Sequence, residues 1–201
     1  VMQFLTEEGR MMSEDLAAER GAFPNFKGSI YDRPGRRPVR NATVSTIAPT
    51  GTLSIIAGCS SGVEPLFALT FVRRVMDGAE LVEVNPVFEK TAKERGVYSE
   101  GLMKEIAEHG GCTGIESVPA DIQRVFVTAH DISPEWHIRM QAAFQQYTDN
   151  AVSKTVNFPH SATAKDVDKV YMLAYQLGCK GVTIYRDGSR DEQVLSTGAT
   201  D

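Results

Sequence analysis

The sequence predicts an α/β fold. Two β-rich stretches, Thr155-Val-Asn-Phe158 and Gly181-Val-Thr-Ile-Tyr185, flank an amphipathic helical pattern. Strand, helix and strand over such a span form a βαβ unit, with parallel strands and a right-handed crossover. Farther upstream, Thr43 to Ile47 alternate polar and β-branched residues as a strand does, then break at Pro49 and Gly51 into a short apolar run. The 201 residues are 42% hydrophobic and 23% charged, enough to bury the core that such layers need.

Taken in order, Met2 to Arg20 reads as a helix, with Phe4, Leu5, Met11, Met12, Leu16 and Ala17 at its apolar positions and Gly21 as its stop. The Gly21–Pro38 stretch holds Pro24, Gly28, Pro34, Gly35 and Pro38, with Arg33, Arg36, Arg37 and Arg40 nearby. It is either a solvated connector or a flap whose arginines face a phosphate. Leu69 to Val75 and Leu81 to Val84 read as two strands around the hairpin signal Asp77-Gly78. Pro86 opens a helix to Gly96, and shorter helices follow over Ser99–Gly110 and Pro119–Thr128. Ser133-Pro-Glu caps a long helix to about Asn150, with Trp136, Met140, Phe144 and Tyr147 expected to face the core. Thr163, with Asp166 three residues on, caps the crossover helix, which Gly178 ends. The tail after Arg190 is polar and expected to fray.

The net charge of −5 argues against a nucleic-acid coat, and no run is long enough to span a membrane. Cys59, Cys112 and Cys179 are sparse, odd in number and without a CxxC pair, which points to a reducing, cytoplasmic setting rather than a disulfide scaffold. Each reads as a packed small residue; for Cys59 no base or cation is visible beside it to make a thiolate. The four histidines match no zinc spacing.

The strongest chemical signal is the turn Pro49-Thr-Gly-Thr-Leu-Ser54. A strand that ends in a Gly/Thr/Ser turn and runs into a helix exposes backbone N–H groups with no partner, at the positive end of the helix dipole. Gly51 lets an anion approach without a Cβ in the way. The turn is not a Walker A loop, since no Gly-Lys-Ser/Thr follows. Taken alone it serves equally as a phosphate cradle or as a capped turn. Glu64 either orients a ligand or satisfies backbone donors. The Tyr185-Arg-Asp-Gly-Ser-Arg190 segment leaves a strand at its C-terminal end, where α/β folds place ligands, or is a solvated charged loop.

Four segments in register resemble one family. Arg40-Asn-Ala-Thr-Val-Ser-Thr-Ile-Ala-Pro-Thr-Gly-Thr-Leu-Ser54, Gly58-Cys-Ser-Ser-Gly-Val-Glu-Pro-Leu-Phe67, Asp149-Asn-Ala-Val-Ser-Lys-Thr-Val-Asn157 and Cys179-Lys-Gly-Val-Thr-Ile-Tyr-Arg-Asp-Gly-Ser-Arg190 look like the later part of the catalytic chain of adenosylcobalamin-dependent (class II) ribonucleotide reductase. The resemblance implies that residues 1–190 are the later portion of a ten-stranded α/β barrel, and that 191–201 are a disordered tail. It implies conversion of ribonucleotides to 2′-deoxyribonucleotides by a cobalamin-initiated thiyl radical. It places substrate phosphates on Pro49, Thr50, Gly51, Thr52, Leu53 and Ser54.

The family's Asn-x-Cys-x-Glu radical motif is absent from this sequence, as is a cysteine pair at the C-terminus. The expectation is therefore that the chain does not turn over alone. It would need an upstream barrel segment or a partner chain bearing that motif, together with adenosylcobalamin and a ribonucleoside di- or triphosphate. Class I relatives carry two adjacent tyrosines near the last barrel strand. The matching pair here is Ile184-Tyr185, which fits a locally generated radical and leaves Tyr185 a structural role. The alternative is a non-catalytic nucleotide-binding or assembly module derived from the same barrel.

Overall fold

The computed structural model describes residues 1–74 and 80–189. The Asp77-Gly78 turn and the tail beyond Arg190 lie outside the described residues. Among the described residues, seven helices and four strands follow in the order α1 (Met2–Arg20), α2 (Gly51–Ala57), β1 (Thr70–Arg74), β2 (Glu80–Val84), α3 (Pro86–Glu94), α4 (Glu100–His109), α5 (Ala120–Val125), α6 (Pro134–Gln145), β3 (Thr155–Phe158), α7 (Ala164–Gln176) and β4 (Thr183–Arg186).

The described strands form two two-stranded sheets. β1 and β2 pair antiparallel, Val72 opposite Val82, while β3 and β4 pair parallel, Val156 opposite Ile184 and Asn157 opposite Tyr185. The βαβ reading of the C-terminal third holds, with α7 as the crossover element. Helix starts follow their side-chain chemistry. Asn85 Oδ1 accepts from the N–H of Val87 and of Phe88, each at 3.1 Å, so two orphan donors of α3 are satisfied. Ser99 Oγ accepts from Leu102 N–H at 3.0 Å, and Asp166 accepts from both the N–H and the hydroxyl of Thr163.

Each sheet has its own apolar core. Phe88, Leu102, Met103, Ile106, Cys112 and Ile122 close around Leu69 at the base of β1. Ile138, Val156, Phe158, Val170 and Ala174 fill the space between α6, β3 and α7. Val156 and Phe158 point into this core, so Thr155 and Asn157 emerge on the opposite face of β3.

Three expectations need correction. Thr43–Ile47 is not a strand: it makes one parallel bridge, Ile47 to Val152. Its donors go elsewhere, because no described strand runs beside it. The N–H groups of Val44 and Ser45 donate to Asp149 Oδ2 at 2.7 and 3.3 Å, and the Ser45 and Ile47 carbonyls accept from Asn150 and Ser153. On α6 the supposed core stripe is largely outside: Trp136 is 65% and Met140 50% exposed, and the buried face is His137, Ile138, Gln141 and Gln145. Those glutamines clamp irregular backbone. Gln141 Nε2 donates to the carbonyls of Val152 and Gly181, while Gln145 Nε2 donates to those of Thr148 and Asn150. On α1, Phe4, Leu5, Met11 and Met12 are exposed, and the buried positions are Ser13 and Ala17. This helix is tied down by polar groups instead. Arg10 pairs with Asp149 and lies over the Tyr31 ring, Thr6 donates to the Tyr147 carbonyl, and Gly9 abuts Val44.

Asp149 thus joins α1 to the 44–45 segment from a side chain only 10% exposed. Removing it strands a half-buried guanidinium and two amides. Asp149→Ala should lower the free energy of unfolding by about 2–3 kcal/mol in chemical denaturation. Arg37→Ala, which breaks only the solvent-exposed pairs to Glu14 and Asp15, should leave the denaturation midpoint in place.

Candidate functional site

A cavity of about 740 Å³ opens where three distant segments converge. Pro49 and Ser54 come from the turn before α2 and from its first residues. Cys59, Ser60, Ser61, Glu64, Pro65, Leu66 and Phe67 form a second wall. Ser153, Thr155 and Asn157, with Thr183 and Tyr185, line it from the face of the β3–β4 sheet turned away from its apolar core, and Ile184, whose side chain packs toward that core, borders it as well. Parallel register puts Thr155 beside Thr183 and Asn157 beside Tyr185, so hydroxyls and an amide line up in two rows.

The turn has the local structure expected of it. α2 begins at Gly51, and Thr50 adopts the left-handed conformation at φ 50°. Thr50 is the one non-glycine residue at positive φ among those described, and for a β-branched residue that is a true outlier. The amides of Gly51, Thr52 and Leu53 lie in the first helical turn, where no carbonyl one turn back can accept them. Nothing lies within 4 Å of the position a Cβ on Gly51 would take, so the backbone there is open. The Ser54 hydroxyl donates to the Gly51 carbonyl at 2.6 Å, so its proton closes the turn and its oxygen remains free to accept. Of the six turn residues, Pro49 and Ser54 reach the cavity wall itself.

The second wall leans on the turn. Gly62, at φ 51°, lies so close that a Cβ would meet the Ala48 carbonyl oxygen at 3.3 Å. Its other anchor is Glu64. Oε1 accepts from Thr155 N–H at 2.5 Å, and Oε2 pairs with Lys154 Nζ at 3.1 Å. Glu64 therefore satisfies a backbone donor while lining the cavity. Lys154 is buried, and its ammonium also donates to His137 Nδ1 at 2.8 Å and to the Thr155 carbonyl at 3.2 Å. Acceptance at Nδ1 leaves the His137 proton on Nε2, which donates to the Ala129 carbonyl at 3.0 Å. Burial pushes the Lys154 ammonium below its ordinary range and the Glu64 carboxylate pulls it back. Burial, and then the Lys154 charge, hold His137 below its ordinary value.

The cysteines divide. Cys112 is fully buried, its thiol pushed up to about 11 by burial and then by Asp131, and Cys179 is raised by burial, so both pack as expected. Cys59 is a correction: it is exposed on the cavity wall, because the helix before it buries no residue and carries it outward. None of the arginines in the 33–40 stretch lines the cavity; Arg37 pairs with α1 and Arg40 reaches the Ala22 carbonyl, as in a connector. Sequence reasoning missed Lys154, His137 and Asn157. A lysine inside a β-branched strand, Ser153-Lys-Thr-Val, was the available signal, since a charge placed there must be paired if buried. Among the described residues no cluster of His, Cys, Asp or Glu could hold a metal ion, and no described helix is long and apolar enough to cross a membrane.

Comparison with known proteins gives a consistent set of similarities. The family model for the ribonucleotide reductase barrel domain matches residues 1–185. The vitamin B12-dependent ribonucleoside-diphosphate reductase of Thermoplasma acidophilum is 50% identical over 201 residues, 100% of this chain and 26% of that protein. The Mycobacterium tuberculosis protein of the same description is 48% identical over 199 residues, 99% of this chain and 28% of its own. Among solved structures, the Actinobacillus ureae class Id ribonucleotide reductase alpha subunit superposes with a TM-score of 0.75 at 26% identity, over 93% of this chain and 33% of that one. The chain thus spans about a quarter of the length of the curated relatives it matches.

The His137 geometry sets a pH dependence. A histidine held below its ordinary pKa of 6.5 in the fold binds its proton more readily in the unfolded chain. Stability therefore falls as pH drops below about 6.5, toward the lowered value in the fold. Urea denaturation at pH 7 and pH 5 should show this loss, and His137→Asn should flatten it. A slope equally steep in the variant would place the titrating group elsewhere.

Proposed function

The chain belongs to the ribonucleotide reductase barrel-domain family, and from that premise we propose that it is the later portion of the ten-stranded catalytic barrel of an adenosylcobalamin-dependent reductase acting on ribonucleoside diphosphates. The observation that carries this reading is the shared cavity: Pro49 and Ser54 of the anion-type turn line the same 740 Å³ space as Thr155, Asn157, Thr183 and Tyr185. The names of these two relatives supply the cofactor class and the diphosphate substrate.

In this mechanism each group of residues has a distinct task. The amides of Gly51, Thr52 and Leu53, with the hydroxyls of Thr50, Thr52 and Ser54, hold the substrate's phosphates at the positive end of α2. The β3–β4 face presents hydroxyls and an amide to the rest of the nucleotide, fixing its orientation before any bond is broken. Asn157 and Tyr185, adjacent in register, form the polar end of that face. Ile184 turns its side chain against the α6–α7 core, so Tyr185 has no stacked aromatic neighbour at that position. That supports a radical generated within the barrel. The cofactor, when bound, supplies the homolysis that starts the radical. The cavity lining sets hydroxyls and an amide beside Pro65, Leu66 and Phe67, and on this reading the cofactor's contacts fall to barrel residues outside this segment. The radical cysteine falls outside it too.

Two substitutions test the phosphate assignment in the complete reductase. Thr52→Val removes a hydroxyl, and Gly51→Glu sets a carboxylate in the open space above the turn. Each should weaken nucleoside diphosphate binding by roughly tenfold or more, with the barrel still folded by circular dichroism. Unchanged affinity in both would sink the assignment. Deoxynucleotide formation that proceeds equally without adenosylcobalamin would remove the cofactor class while leaving the family intact.

A further inference from the structure

We propose that Lys154 is a positioning residue for the substrate cavity, acting through Glu64. The inference rests on reading this cavity as the nucleotide site. Lys154 cannot touch a ligand itself: its side chain is 2% exposed, whereas that of Glu64 is 23% exposed and lines the cavity. All three ammonium protons have acceptors, on Glu64, His137 and the Thr155 carbonyl. The ammonium is therefore fixed in direction as well as in place.

What it fixes is the wall from Cys59 to Phe67. Between α2 and β1 this wall has no regular secondary structure. Glu64 is its charged link to the sheet, through the Thr155 amide at 2.5 Å and Lys154 at 3.1 Å. One carboxylate oxygen grips the backbone at the start of β3 and the other grips a buried cation one residue earlier. The carboxylate can neither rotate toward the cavity nor pull the loop away without leaving an unpaired buried charge. The same wall touches the phosphate turn through Gly62. Lys154 thereby sets the distance between the turn that would hold phosphates and the sheet face that would hold the sugar and base.

The grip depends on charge at both ends, and that separates positioning from mere filling. Lys154→Met leaves Glu64 as an anion without its counter-ion. Glu64→Gln keeps an oxygen for the Thr155 amide but turns N–H donors toward the ammonium. The double variant Glu64→Gln/Lys154→Met removes both charges and keeps the bond to Thr155, so it should recover much of what either single change loses.

The test uses the complete reductase with two readouts. By hydrogen–deuterium exchange, Lys154→Met should speed exchange at residues 59–65 and at the Thr155 amide while sparing α4. In steady-state kinetics, KM for the ribonucleoside diphosphate should rise on the order of tenfold, with kcat changing less and the double variant moving back toward wild type. Unchanged exchange in the wall, or unchanged KM in a folded Lys154→Met enzyme, overturns the proposal. So does a double variant as impaired as the worse single one. If Lys154→Met does not fold, Glu64→Gln carries the same readouts. If the wild-type enzyme reduces no ribonucleotide, the reading of the cavity as a nucleotide site fails, and the exchange experiment still decides whether Lys154 holds the wall.

Discussion

Backbone groups that lack a strand neighbour must find partners elsewhere, and much of this structure follows from how they do. The residues from 43 to 48 and from 148 to 155 run side by side with a single β-bridge between them. Side chains supply much of the rest. Asp149 accepts from Val44 and Ser45. Gln145 donates to Thr148 and Asn150 and accepts from Val152. Gln141 bridges the carbonyls of Val152 and Gly181, and Glu64 accepts from Thr155. These polar clamps hold the turn before α2 against the β3–β4 sheet, so the cavity exists because of them.

The same constraint explains where sequence patterning succeeded and where it misled. Several helix limits were legible because they depend on local chemistry: Gly21 after α1, Pro86 after the Asn85 cap, Thr163 with Asp166 before α7. α6 instead ends at Gln145, short of Asn150, and Ser133 makes no side-chain capping bond. The parallel β3–β4 pair was legible from strand, helix and strand spacing. The inward faces of α1 and α6 were not. Periodicity assigns apolar residues to the core, but α6 turns His137, Gln141 and Gln145 inward because the backbone it covers needs donors and acceptors more than methyl groups. A buried glutamine that satisfies two carbonyls is indistinguishable in sequence from one on a solvated face.

The candidate site was half legible for a related reason. The Pro49–Ser54 turn announces itself through residue types that only a turn and a helix start would use together. Its cavity partners do not: Thr155, Asn157, Thr183 and Tyr185 read as ordinary strand residues, and their convergence follows from a register that two-residue alternation cannot fix between segments some thirty residues apart. Lys154 and His137 became visible only once the fold buried them. Resemblance to a family supplied what local chemistry lacked, by matching four separated segments in order along the chain, although it assigned a ligand only to the turn.

The turn itself is held in an unfavourable state. α2 is seven residues long and buries none of them, well short of a helix that stands alone in water. Thr50 adds a left-handed conformation that a β-branched side chain resists, a cost on the order of 1–3 kcal/mol. Against this stand the left-handed Gly58 at the other end, the Ser54 bond to Gly51 and the contact with Gly62, none of them large. Glycine at position 50 would relieve the strain, so the threonine is costly to the fold alone. On the nucleotide reading, its hydroxyl and the amides that follow it gain a phosphate partner, and the strain becomes the cost of holding donors aimed at a ligand before it arrives. The clamp at Glu64 and Lys154 belongs to the same logic: a wall fixed by buried charge keeps a weak helix start seated beside the cavity.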